Sequence, residues 1–247
     1  MLHENSITYK VYGKYALFTD PLTKIGGEKF SYDIPTYGAL KGITESIYWK
    51  PTFVWIIDEV KIMKPIQTQS KGIRPIRYQH GEKENENDLS IYTYLYDVEY
   101  LVKAHFEWNE NRPELAADRD ENKHWDIAKR MIEKGGRRDI FLGTRECQGY
   151  VEPCDFEEPS IPYGAIPERS FGVMVHGITY PDEQMVPSYA GRMTVRLWKP
   201  VMKNGIIRFE RPDSPNIITR VIKEKQSKMF TVGINFSGLS EFDGEEG

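Results

Sequence analysis

The sequence predicts an α+β protein: a β-α-β-β-α-β domain followed by a small antiparallel β domain. Three observations carry this. Every even position from Tyr92 to Trp108 is apolar or aromatic, the alternation of a long strand with one buried face. Two segments with helical spacing are separated by strand-like ones. Beyond Pro153, four prolines (Pro153, Pro159, Pro162, Pro167) introduce a region with only short strand-like segments.

Taken in order, residues 6–18 (SITYKVYGKYALF) have the Val, Ile, Tyr and Phe content of a strand, broken by Asp20-Pro21. A loop containing Gly26-Gly27 leads to a helix over 36–49, where Leu40, Ile43 and Ile47 share a face, Thr36 is the N-cap and Pro51 the stop. TFVWIIDEVKIM is a strand whose apolar phase shifts near Asp58, the mark of a bulge. His80–Asp88 is a polar loop tip. The long strand follows, with Lys103 and His105 on its odd, polar face and expected to be exposed. After Pro113 a second helix puts His124, Ile127, Ala128 and Met131 on one stripe and stops at Gly135-Gly136. RDIFLGTRECQGYV is a strand interrupted by Gly143. This order is the ferredoxin-like arrangement, which is also the topology of RNA-recognition (RRM-like) modules. FGVMVHGITY, MTVRLW and GIIRFE supply the later strands. The expected division is 1–155, 156–236 and an acidic tail, 237–247, whose Glu, Asp, Gly and Ser cannot bury a core.

Composition narrows the function. The chain has 247 residues, a net charge of -4 and 28% charged residues, so it does not coat nucleic acid everywhere, although a local basic site is compatible with it. Residues 119–145 are such a segment, with eight basic against five acidic side chains. No apolar run approaches the roughly 20 residues that span a bilayer, and MLHENSITYK lacks the regions of a signal peptide, so the expectation is a soluble, cytoplasmic protein without membrane contact. Cys147 and Cys154 suit neither a zinc knuckle nor a CxxC pair, and the five histidines show no HxxxH or HxH spacing. Neither a bound metal nor another cofactor is expected.

Three features could carry chemistry. Gly135 to Arg145 (GGRRDIFLGTR) is no Walker loop, but Gly135 and Gly136 could admit a phosphate chain, with Arg137, Arg138 and Arg145 supplying charge; otherwise it is a helix C-cap and a solvated strand. Lys123-His124 sits near the start of the second helix, where cations oppose the helix dipole and a phosphate could bind free N–H groups. On the same stripe as Ile127, His124 could equally be a satisfied core histidine. Tyr48, closing the first helix, is by default a packing residue.

Several phrases resemble the Cas-five proteins of subtype I-C CRISPR systems, in the RAMP superfamily: ALFTDPLTKIGGEK (16–29), YDIPTYGALKGITESIYWKPT (32–52), KGGRRDIFLGTRECQGYV (134–151) and VMKNGII (201–207). The resemblance implies a ferredoxin-like domain carrying a β-rich one, and a metal-independent endoribonuclease that processes CRISPR precursor RNA through 2′-hydroxyl attack. It places the family's catalytic tyrosine on Tyr48 and its lysine-histidine pair on Lys123 and His124. On that assignment His124 does acid-base work, Lys123 supplies charge at the phosphate, and Tyr48 hydrogen-bonds or helps deprotonate the 2′-hydroxyl. The partners implied are CRISPR repeat RNA (the precursor hairpin and the 5′ handle of the crRNA) and the backbone and large subunits of the type I-C surveillance complex. A noncatalytic subunit holding the 5′ end of the guide RNA is the rival reading, and a ferredoxin-like small-ligand binder is a third.

Overall fold

The computed structural model describes residues 5–21, 28–74, 89–226, 230 and 234. The loops predicted at Gly26-Gly27 and His80–Asp88, and the acidic tail, lie outside these residues. The protein is a mixed α/β structure of mostly antiparallel sheets with two α-helices among the described residues. No described helix is long and apolar enough to cross a membrane.

Strand β1 (Ile7–Ala16) buries Ile7, Tyr9 and Val11 on one face. After the short β2 (Lys29–Phe30), helix α1 (Tyr37–Ile47) begins where Thr36 accepts the N–H of Ala39 at 3.1 Å. Strand β3 (Phe53–Ile62) follows and carries the expected bulge, as its register with the next long strand slips between Ile57 and Glu59. Strand β4 (Thr68–Ile73) then leads to β5 (Ser90–Trp108), the 19-residue strand that the alternation predicts. Helix α2 (Glu121–Glu133) starts later than Pro113, which opens a separate 3₁₀ turn over Pro113–Asp118; the N-cap is Asp120, whose carboxylate accepts the N–H of Lys123. Its buried stripe is His124, Ile127, Ala128 and Ile132, so Ile132 rather than Met131 completes the inner face.

Residues 140–152 form a hairpin, not one interrupted strand: β6 (Ile140–Phe141) and β7 (Gln148–Glu152) pair antiparallel. The turn between them tucks under the end of β1. Gly143 has φ +97°, and a Cβ there would stand 2.1 Å from the carbonyl oxygen of Leu17. Beyond residue 156 come β8 (Arg169–Ser170), β9 (Met174–Thr179), β10 (Arg192–Trp198), β11 (Val201–Lys203), β12 (Ile206–Arg208) and β13 (Ile218–Glu224). Strands β13, β10 and β9 make a separate three-stranded sheet. The large sheet runs β6-β7-β1-β5-β3-β12-β11-β8, so β12 extends it by pairing with β3.

The far face of the large sheet is also covered, which corrects the expectation for His105. Lys61 on β3 gives its amine to the carbonyls of Phe156 and Glu158, pinning the segment that leads out of β7 across the sheet. His105 is buried, with Nδ1 bonded to Asp58 at the bulge and Nε2 facing Glu107, whose carboxylate Arg211 grips with two N–H groups.

Replacing Gly143 by alanine imposes both a disfavoured φ and a backbone clash. The expected result is a melting temperature lower by about 5–10 °C, measured by circular dichroism; an unchanged value would mean that the turn does not hold this conformation.

Candidate active site

Three chain segments meet at one end of the large sheet. Helix α1 ends when Tyr48 turns extended (φ -156°, ψ 133°) while its N–H still bonds the carbonyl of Thr44 at 3.0 Å. The carbonyls of Ser46 and Ile47, left without helical partners, accept the N–H groups of Arg138 (3.0 Å) and Arg137 (3.1 Å). That segment arrives because α2 stops at Gly135 (φ +81°) and Gly136 (φ +106°), whose N–H groups bond the carbonyls of Ile132 and Met131. The two glycines therefore act as the helix C-cap, and the backbone of the two arginines caps the other helix. Both arginine side chains stay exposed, and Arg137 is near enough to act electrostatically on the Tyr48 phenol.

Tyr48 and His124 come together. The tyrosine oxygen lies 2.8 Å from His124 Nδ1, and His124 Nε2 lies 2.8 Å from the carbonyl oxygen of Asp118. A carbonyl only accepts, so Nε2 carries the ring proton. Nδ1 is then the acceptor and the Tyr48 hydroxyl donates to it. Burial holds the His124 pKa below its ordinary value and raises that of Tyr48, so near neutral pH the pair is a neutral imidazole and a neutral phenol. The rings of Phe53, Phe106 and Trp108 stand edge-on to the imidazole at centroid distances of 5.0, 6.1 and 5.8 Å. Both side chains have 0% exposure.

Lys123 precedes His124 on the exposed side of the first turn of α2. Arg145 is not part of this cluster. It lies in the β6–β7 turn, whose Leu142 and Gly143 meet Leu17 at the end of β1 opposite Ser6, and the Ser6 carbonyl binds the indole of Trp125 near the start of α2. The intervening strand spans on the order of 30 Å. Two residues that sequence reasoning missed complete the junction. Thr52 donates its hydroxyl to the Asp118 carboxylate at 2.7 Å, and that carboxylate stands 3.9 Å from His124 Nε2. Neither carries a local signal, since each is recognisable only by its neighbour in space. Among the described residues no group of three or more His, Cys, Asp or Glu could hold a metal ion, and Cys147 and Cys154 are both free thiols.

Set against known proteins, residues 6–210 match the family described as CRISPR-associated protein (Cas_Cas5). The chain belongs to this family. A relative from Mannheimia succiniciproducens named CRISPR pre-crRNA endoribonuclease Cas5d is 29% identical over 230 residues, 82% of this chain and 94% of the relative. A second, of the same name, from Thermus thermophilus is 32% identical over 156 residues, 61% of this chain and 65% of the relative. A crystal structure of a CRISPR-associated protein superposes with a TM-score of 0.69 at 38% identity, covering 86% of this chain and 96% of that one. A functionally uncharacterized protein from Streptococcus mutans gives 0.66 at 42% identity, over 87% and 96%. The span matched to the Cas_Cas5 family contains Tyr48, Lys123, His124 and the whole segment from Gly135 to Arg145.

Changing Tyr48 to phenylalanine leaves a buried acceptor, His124 Nδ1, without its donor. The expected cost is about 1–3 kcal/mol in urea unfolding at pH 7.5. A loss below about 0.5 kcal/mol would contradict the hydrogen bond.

Proposed function

We propose that this Cas_Cas5 protein is an endoribonuclease that cuts the repeat of CRISPR precursor RNA without a metal ion, by attack of the repeat's own 2′-hydroxyl. The observation that carries the reading is the hydrogen bond between Tyr48 and His124, residues 76 positions apart that the family resemblance had named separately. The name shared by the two curated relatives supports it.

The protonation states suit the chemistry. His124 is neutral, and its proton on Nε2 leaves the Nδ1 lone pair directed at the Tyr48 hydroxyl. As the 2′-hydroxyl attacks phosphorus, its proton passes to the Tyr48 oxygen while the Tyr48 proton passes to His124 Nδ1. The bond from the 2′-oxygen to phosphorus forms and that to the 5′-oxygen breaks. The departing 5′-oxygen takes a proton from solvent, and His124 later returns one. Lys123 from the first turn of α2, and Arg137 and Arg138 from beyond its C-terminus, supply the positive charge that opposes the charge building on the phosphorane. Because neither member of the pair is exposed, RNA docking on these cations must open the shell above Tyr48.

The four strands β7-β1-β5-β3, in that order and all antiparallel, with α1 between β1 and β3 and α2 between β5 and β7, support a ferredoxin-like domain over 1–155 carrying the site. The smaller β-rich region of 156–236 accompanies it. The backbone and large subunits of a type I-C surveillance complex, and the crRNA 5′ handle, are the partners this reading entails in the cytoplasm.

One observation favours a second reading. Complete burial, with both imidazole nitrogens bonded, also suits a clamp between the helices in a noncatalytic subunit that only holds the 5′ end of the crRNA. Incubation with repeat RNA in EDTA separates the two. The expected products carry a 2′,3′-cyclic phosphate and a 5′-hydroxyl, and one deoxyribose at the cut site abolishes cutting with binding retained. Tight binding with no cutting of all-ribose RNA would establish the second reading.

A further inference from the structure

Beside the close contact of Gly38 on α1 with Gly177 on β9, a cleft of about 640 Å³ lies between the helix and the three-stranded sheet, with walls that include Lys41, Gly42, Trp49, Gly177, Glu183 and Arg196. Its size falls within the roughly 300–1,000 Å³ usual for small-molecule sites. It runs along α1 from Thr36 to Trp49, the residue after Tyr48.

Arg196 sets its chemistry. The residue is 3% exposed, and among the described residues no carboxylate lies within ion-pair distance of its guanidinium. It is nonetheless held rigidly. Its Nε donates to His176 Nδ1 at 3.1 Å, and His176 Nε2 donates to the carbonyl of Glu210 at 2.9 Å. The imidazole stacks on Tyr37 with centroids 4.2 Å apart, and the guanidinium stands 5.6 Å from the same ring. Burial and the neighbouring guanidinium lower the His176 pKa to about 3, so the imidazole stays a neutral acceptor. Gly177 makes room, because a Cβ there would stand 2.9 Å from Arg196 Nη2. A buried, fixed guanidinium with terminal N–H groups at a cleft wall is built to meet an acceptor edge.

The surroundings select among acceptors. Lys41, Arg196 and Lys225 are matched in number by Glu45, Asp182 and Glu183, and Lys41 is already paired with Glu183 and, at 3.3 Å, with Glu45. A balanced site gains little from a phosphate. Trp49, which meets Phe230 edge-on, and Tyr180, with the Lys225 amine 4.5 Å from its ring centre, add aromatic surface to the walls, and the carboxylates add acceptors for ring N–H groups. We propose that this cleft takes one unpaired nucleobase of the RNA, presented to Arg196 by an acceptor edge such as O6 and N7 of guanine. The inference rests on the endoribonuclease reading and deepens it: a base captured beside Trp49 fixes which phosphate lies at Tyr48.

Gly42 provides the test. It lies on α1 at the cleft, and a Cβ built there meets nothing within 4 Å. Gly42→Ala and Gly42→Leu both improve helix propensity and are expected to melt no lower than the parent. Gly42→Leu should bind repeat RNA about tenfold more weakly than the parent by fluorescence anisotropy, and Gly42→Ala, a smaller intrusion at the same wall, should lose less than Gly42→Leu. An abasic scan of the repeat should reveal one unpaired position whose loss costs the parent a similar factor and costs Gly42→Leu nothing further. If the parent binds and cuts but Gly42→Leu does both equally well, or no abasic position matters, the cleft holds something else, a protein segment included, and the assignment is overturned. If the parent neither binds nor cuts repeat RNA, the endoribonuclease reading itself fails and this one falls with it.

Discussion

The hydrogen bond from Tyr48 to His124 forms where the C-terminus of α1, the first turn of α2 and the start of β3 converge. Both helices end or begin on a local device: the extended Tyr48 and the arginine N–H groups that satisfy the last carbonyls close α1, and the Asp120 carboxylate caps the start of α2. The imidazole cannot leave without depriving the Asp118 carbonyl of one of its two donors, the other being the Asp120 N–H at 3.1 Å, and leaving the Tyr48 hydroxyl without its acceptor. In a low-dielectric cage of aromatic rings such losses are costly. The same constraint fixes the tautomer, and the tautomer fixes the direction in which a proton can move.

Two buried histidines show how context divides roles. His124 and His176 are both held neutral by desolvation, and each donates through Nε2 to a backbone carbonyl. They differ at Nδ1. His124 faces a phenol that can give up its proton, whereas His176 faces a guanidinium that cannot. The first arrangement can relay a proton, and the second can only position Arg196. The Tyr48–His124 pair and the cleft lie along one helix, so in the proposed function α1 aligns base capture with cleavage.

Local features of the fold were legible in the sequence. The alternation from Tyr92 to Trp108, the Thr36 cap and the phase shift at Asp58 each reflect contacts within a few residues or one sheet face. Features made by distant segments were not. The covering of His105 comes from chain 50 to 100 positions later, and the hairpin turn at Gly143 depends on the carbonyl of Leu17. At the site, Tyr48, Lys123 and His124 were nameable through their resemblance to a family, and only two of the three meet as a bonded pair. Thr52, Asp118 and Arg196 were invisible, because a buried polar partner leaves no periodic trace.

The central claim, that Tyr48 and His124 act as one proton-transferring unit, is tested most directly by a double-mutant cycle on single-turnover cleavage. Tyr48→Phe, His124→Ala and the double variant are compared at saturating protein, well below the melting temperature of the least stable variant. Each single change should slow cleavage by about a hundredfold or more, the usual scale for acid-base catalysis, and the double variant should be no slower than the slower single. Losses that multiply, or either single variant cutting at the parental rate, would contradict the account.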